Sequence, residues 1–185
     1  CGCTDAILQY DDGTAQWLTW GGLYRGVWFH LEDFSPGCDD YLADTLEYWF
    51  YHFPSAWDTS WFYAELYSGG SGGPETELFS TSVNAGHYCP TYVEVSPPVE
   101  TGGDFWIIMN TEMSSGGWPS ILGDGTPNSQ FGSHSFLSDD FMIWEPWIIQ
   151  GPEAEDYFIR AHGVPILGLE EETWGSIKSL FGEVL

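Results

Sequence analysis

Trp61-Phe62-Tyr63-Ala64-Glu65-Leu66-Tyr67-Ser68 runs directly into Gly69-Gly70-Ser71-Gly72-Gly73-Pro74. In the first stretch Phe62, Ala64 and Leu66 share one side, while Trp61, Tyr63, Glu65 and Tyr67 share the other. That is the two-residue period of a strand, not the 3.6-residue period of a helix. The glycine-rich run continues neither element and reads as a hairpin loop. Upstream, Leu46-Glu47-Tyr48-Trp49-Phe50-Tyr51-His52-Phe53 repeats the pattern, with Leu46, Tyr48 and Phe50 opposite Glu47, Trp49, Tyr51 and Phe53. In both stretches the glutamate marks the expected solvent side, which turns Trp49, Tyr51, Trp61, Tyr63 and Tyr67 outward on one surface. A contiguous aromatic patch of that kind calls for a partner.

Similar runs recur along the chain, roughly one per ten residues, between Gly, Pro, Asp and Ser clusters, the pattern of an all-β sandwich or barrel. Strands are expected at 16–20, 23–31, 45–53, 61–67, 77–83, 91–95, 104–110, 141–144 and 157–162, with short additions at 120–122 and 133–137. Pro97-Pro98, Gly102-Gly103 and the segments 114–119 and 123–127 read as breaks. Beyond Pro165, Glu170, Glu171 and Glu172 precede Thr173, and Trp174, Ile177, Leu180, Phe181 and Val184 recur at helical spacing, predicting a short amphipathic helix. Its role is to lid one end of the sandwich or to dock on another subunit. The expected organisation is an N-terminal arm at 1–14, a β-sandwich at 15–163 and a tail with a short helix at 164–185.

Composition narrows function. The 185-residue chain has 3 Lys and Arg against 28 Asp and Glu, a formal net charge of −25, and 11 Trp, 10 Tyr and 12 Phe. Arg25, Arg160 and Lys178 are the fixed cations, too few to neutralise phosphates, so nucleic acid and anionic membrane surfaces are excluded as partners. No run of 18 apolar residues offers a membrane span. High charge accompanies disorder when aromatics are scarce, but 43% hydrophobic content supplies a core. Four cysteines, Cys1, Cys3, Cys38 and Cys89, lack CxxC spacing and point to disulfides in an oxidising compartment. Three pairings remain open. With Cys1 first and no apolar leader, the chain is expected to be secreted after removal of a signal peptide, and an acylated Cys1 is the rival expectation.

Tyr10-Asp11-Asp12-Gly13-Thr14, the Tyr67–Pro74 loop, Pro97-Pro98-Val99 leading to Gly103-Asp104-Phe105, Asp156-Tyr157-Phe158-Ile159-Arg160-Ala161 and the terminal Thr173-Trp174-Gly175-Ser176-Ile177-Lys178 together resemble a jelly-roll-like β-sandwich module. That module recurs in large secreted and surface proteins of uncultivated bacterial lineages. The resemblance covers most of the chain and implies a two-sheet antiparallel sandwich of jelly-roll-like topology. Its motifs are turn and strand punctuation, and it carries over no catalytic residue.

Chemistry is sparse. Gly69-Gly70-Ser71-Gly72-Gly73 satisfies GxSxG, but a nucleophile elbow needs a helix after the turn and a strand follows here. The histidines, His30, His52, His87, His134 and His162, stand singly, without metal-ligand spacing. Asp11, Asp12, Asp39, Asp40 and Asp124 lie at glycine-containing turns and are the candidate ligands of a structural calcium ion. No catalytic residue is assigned and the chain is read as non-enzymatic. Two uses of the aromatic surface are in view. The first is self-assembly into an extracellular filament, sheath or surface layer through Trp49, Tyr51, Trp61, Tyr63, Tyr67, Trp174, Ile177 and Phe181. The alternative is a carbohydrate-binding or adhesion module, because sugar rings stack on flat aromatic faces.

Overall fold

A computed structural model describes residues 6–19, 21–51, 55–86, 89–125, 134–148 and 155–166. Its strands are β1 (Ala6–Leu8), β2 (Trp17–Thr19), β3 (Tyr24–His30), β4 (Asp40–Trp49), β5 (Trp61–Ser68), β6 (Thr76–Asn84), β7 (Pro90–Glu100), β8 (Asp104–Asn110), β9 (Ile121–Gly123), β10 (Ser135–Ser138), β11 (Glu145–Pro146) and β12 (Ile159–Ile166). One sheet has the order β1-β12-β4-β7, the other β11-β10-β3-β8-β5-β6, and β2 pairs with β9 as a separate ribbon. Every pairing is antiparallel. The frame β1-β12-β4-β7 over β3-β8-β5-β6, in which each successive strand except β6 after β5 changes sheet, is a jelly roll. The expected β-sandwich is therefore present. The C-terminal helix falls outside the described residues.

Alternation builds the core. Leu46, Tyr48 and Phe50 from β4 and its end meet Phe62, Ala64 and Leu66 from β5 in one buried cluster with Phe29, Phe105, Ile107 and Ile159. Tyr48 also donates its hydroxyl to the carbonyl of Ile108 at 3.1 Å, so its polar end is satisfied inside. A second, smaller cluster forms on the outer face of the six-stranded sheet, where Phe141 and Trp144 cover Tyr24, Trp106 and Ile108. Arg25, which alternates onto the inward side of β3 with Val27 and Phe29, is fully buried among carbonyls: its side chain donates to Gly21 O at 3.0 Å and Gly117 O at 2.8 Å.

Several expectations need correction. Residues 6–8, expected within an N-terminal arm at 1–14, belong to the sandwich as β1, paired with β12 from Ala6↔Gly163 to Leu8↔Ala161. β4 begins at Asp40 and β12 continues to Ile166, past the strand boundaries expected at 45 and 162. Pro97-Pro98 does not end β7. A proline removes a ladder donor, but β7 is an edge strand, where that donor is dispensable. Segment 141–144 is a turn: the Asp140 carboxylate accepts from the backbone N–H of Met142 at 2.9 Å and Ile143 at 3.1 Å, and Phe141 sits at φ 65°.

Candidate ligand-binding face

The aromatic set that sequence grouped on one surface is divided by topology. β4 lies in the four-stranded sheet and β5 in the six-stranded sheet, so Trp49 faces outward on one side of the sandwich while Trp61, Tyr63 and Tyr67 face outward on the other. Tyr67 is covered by Phe141, with ring centroids 5.2 Å apart, and Trp61 stands exposed at the start of β5. Tyr51, exposed beyond β4, borders a recess of about 290 Å³ with Trp17, Leu18 and Leu122. Trp174, Ile177 and Phe181 lie outside the described residues.

The glutamates do not mark solvent. Glu47 is 2% exposed and Glu65 5%. Glu47 is the hub of a network on the outer face of the four-stranded sheet. Its Oε2 lies 2.5 Å from His162 Nε2, and its Oε1 accepts from Arg160 at 3.3 Å and from the Trp49 indole N–H. Arg160 in turn donates to both oxygens of Asp11, at 2.6 and 2.9 Å, and its guanidinium lies 5.6 Å from the Trp49 ring centroid and 5.3 Å from that of Phe158. Burial works against the Arg160 charge, but the Asp11 hydrogen bonds and the Asp11 and Glu47 charges outweigh it and hold its pKa above the ordinary value. The side chains of this face are therefore fixed before any ligand arrives.

Beside the network the sheet is indented. Register shifts between Ala43 and Thr45 in β4 and between His162 and Gly163 in β12, on facing strands. Against β12 Asp44 is the extra residue, a β-bulge of the kind that re-aims side chains, while against β7 residues 95–98 stand opposite it. Gly163 makes the close approach possible: a Cβ there would run into the Leu42 carbonyl oxygen. The result is a recess of about 360 Å³ lined by Ala6, Ile7, Asp44, Thr45, His162 and Gly163. Across β4, the Tyr92 ring meets the His162 ring edge to face, with centroids 5.9 Å apart at 84°, and remains 59% exposed. Ile7, 54% exposed, forms the opposite rim. Aromatic and apolar surface thus flanks a hydroxyl, an imidazole and a carboxylate.

The candidate calcium ligands fall in two places. Asp11 is committed to Arg160, and Asp124 accepts from the backbone N–H of Asp12 at 3.2 Å and of Asp156 at 2.9 Å. Asp40 accepts from Gly102 N at 2.8 Å and, like Asp39, sits near Ile166. Arg160 and Ile166 are six residues apart along β12, about 20 Å at strand rise, so these aspartates do not converge. Among the described residues, no group of three or more His, Cys, Asp or Glu is placed to hold a metal ion. No disulfide joins Cys38 to Cys89, and Cys1 and Cys3 lie outside the described residues. No helix among the described residues is long and apolar enough to cross a membrane.

Sequence reasoning passed over Asp44, Tyr92 and Ile7. Tyr92 was legible, since Thr91-Tyr92-Val93-Glu94-Val95 alternates like the strands above; Asp44 was not, because a bulge leaves no periodic trace. Comparison with known protein families, curated proteins and solved structures gives no match.

Proposed function

We propose that this chain is an extracellular, non-enzymatic β-sandwich that holds a glycan on the outer face of its four-stranded sheet. The bulge-built recess between Ile7 and Tyr92, backed by the fixed network of His162, Glu47, Arg160 and Asp11, carries the reading. At about 360 Å³ the recess falls at the small end of ligand sites, which run roughly 300–1,000 Å³ and combine apolar walls with a few placed polar groups. A sugar ring offers the matching surface: C–H faces for Tyr92 and Ile7, hydroxyls for Thr45, Asp44 and His162. Binding is favoured over turnover because Glu47 and Asp11, the carboxylates fixed beside the recess, are tied to Arg160 and His162 and so are not free to share acid and base roles.

A glycan-array screen followed by calorimetry tests this. Tyr92→Ala is expected to weaken binding by about tenfold or more, equivalent to roughly 1.4 kcal/mol, while Trp61→Ala on the opposite sheet leaves it unchanged. Absence of any glycan ligand, or equal loss in the two variants, contradicts the proposal.

Self-assembly is the second reading, and one observation favours it. The turn after β10 holds Met142 at 85% and Ile143 at 65% exposure on a backbone braced by Asp140. Large apolar side chains fixed in water in this way suit a contact with another copy. Subunits of charge −25 repel, so assembly should strengthen with salt or divalent cations. Light scattering that shows only monomer at every salt concentration, or particles unaffected by Met142→Asp, rejects it.

A further inference from the structure

On the glycan-binding reading, we infer that the recess selects a sugar bearing a free amine, such as a polymer of N-unsubstituted hexosamine. The charge distribution around the recess carries this inference. Glu47 and Asp11 are engaged within the network, both by Arg160 and Glu47 also by the His162 ring. Asp44 is different: the bulge turns it into the recess, it is exposed, and no described hydrogen bond or ion pair engages its carboxylate. Glu94, exposed on β7, pairs in register with Thr45 and adds a second uncompensated charge on the same face.

Among the described residues no lysine or arginine lines the recess. Arg160 is held beneath Trp49 and Phe158, and Arg25 is buried in the other sheet. The recess is thus a negative spot in the field of a molecule of charge −25. Acidic glycans are repelled from it, neutral ones gain nothing from Asp44 beyond a hydrogen bond, and an ammonium gains a charge-assisted one. Tyr92 adds an aromatic face at the rim, a favourable neighbour for a cation.

The test compares oligosaccharides of equal length made of glucosamine, N-acetylglucosamine and glucose, measured by calorimetry at mildly acidic pH, where the amines are protonated. Salt is held near 0.3 M, where the screening length is roughly 5–6 Å, so that diffuse attraction to the acidic protein is suppressed. The glucosamine oligomer is expected to bind about tenfold tighter than the other two. Asp44→Asn, a same-shape change at an exposed position, is expected to abolish that preference and leave the residual affinity for all three alike. Polylysine serves as the probe for charge alone and is expected to be indifferent to Asp44→Asn.

Equal or tighter binding of the acetylated or glucose oligomer overturns the inference but leaves the glycan-binding reading standing. A preference that survives Asp44→Asn also overturns it. If none of the three binds, both the inference and the reading beneath it fail.

Discussion

Glu65 occupies a place that disfavours its charge. Burial between strands pushes its pKa up to about 7 from an ordinary 4.5; the Asn110 amide, 2.8 Å from Oε1, opposes the shift, and the charges of Glu77 and Glu112 reinforce it. Its other oxygen, Oε2, is buried without a hydrogen-bond partner. A carboxyl with a raised folded pKa binds more protons folded than unfolded, so its effect on stability is most favourable below about pH 4.5 and declines as pH rises to about 7. The expected penalty above that range is on the order of 2–3 kcal/mol. Asp156, also raised to about 7 by burial and the neighbouring Asp124 charge, adds a parallel slope. Glu65→Gln should therefore raise the thermal midpoint in alkaline buffer and flatten the decline between pH 4.5 and 7. An unchanged pH profile of thermal unfolding speaks against this account of Glu65. Such a group is invisible to alternation, which counts any glutamate in a strand as solvent-facing; only its neighbours on adjacent strands reveal that it is covered.

At the scale of elements, the bulged pair β4 and β12 decides the shape of the candidate site. Gly163→Ala would force a Cβ into the Leu42 carbonyl, so the two strands must separate or lose register. A cost of about 2–4 kcal/mol is expected, in line with strained or overpacked substitutions, together with loss of glycan binding; chemical denaturation showing wild-type stability contradicts this role for the glycine. Legibility followed side-chain pattern. β5, β6 and β8 were readable from alternation and from the Gly69–Pro74 and Gly102-Gly103 turns, and the hairpin loop does carry the GxSxG match, with Gly70 O accepting from the Trp106 indole at 2.9 Å. The first half of β4 was not, because Asp40 and Asp44 are poor strand formers, Asp40 held by its pairing with Ile166 and Asp44 standing in the bulge between paired neighbours. β1 spans three residues, too few to show a period. Apolar Phe141–Trp144 mimicked a strand although Asp140 folds it into a turn.

For the whole molecule, composition dominates. Both described arginines are used inside, Arg25 against carbonyls and Arg160 between carboxylates and rings, so among the described residues the surface charge is carried by carboxylates. Self-repulsion of −25 should be relieved by screening. Raising salt from about 0.01 to 0.15 M shortens the screening length from roughly 30 to 8 Å and should raise the thermal midpoint; a flat or falling midpoint would show that this repulsion is not felt by the fold. Replacing Arg25 by Met is expected to cost about 1–3 kcal/mol, the range for leaving buried polar groups unsatisfied, because the carbonyls of Gly21 and Gly117 would lose their donor. Urea denaturation measures it, and a loss below about 1 kcal/mol contradicts the structural role.

The central claim is that ligand sits on the outer face of the four-stranded sheet. Chemical-shift mapping during titration with a bound oligosaccharide tests it most directly. The predicted result is a compact set of perturbed resonances at Ile7, Asp44, Thr45, Tyr92 and His162, with the outer face of the six-stranded sheet silent. Perturbations centred instead on Trp61, Tyr63 and Tyr67, or spread without focus over both sheets, would contradict it.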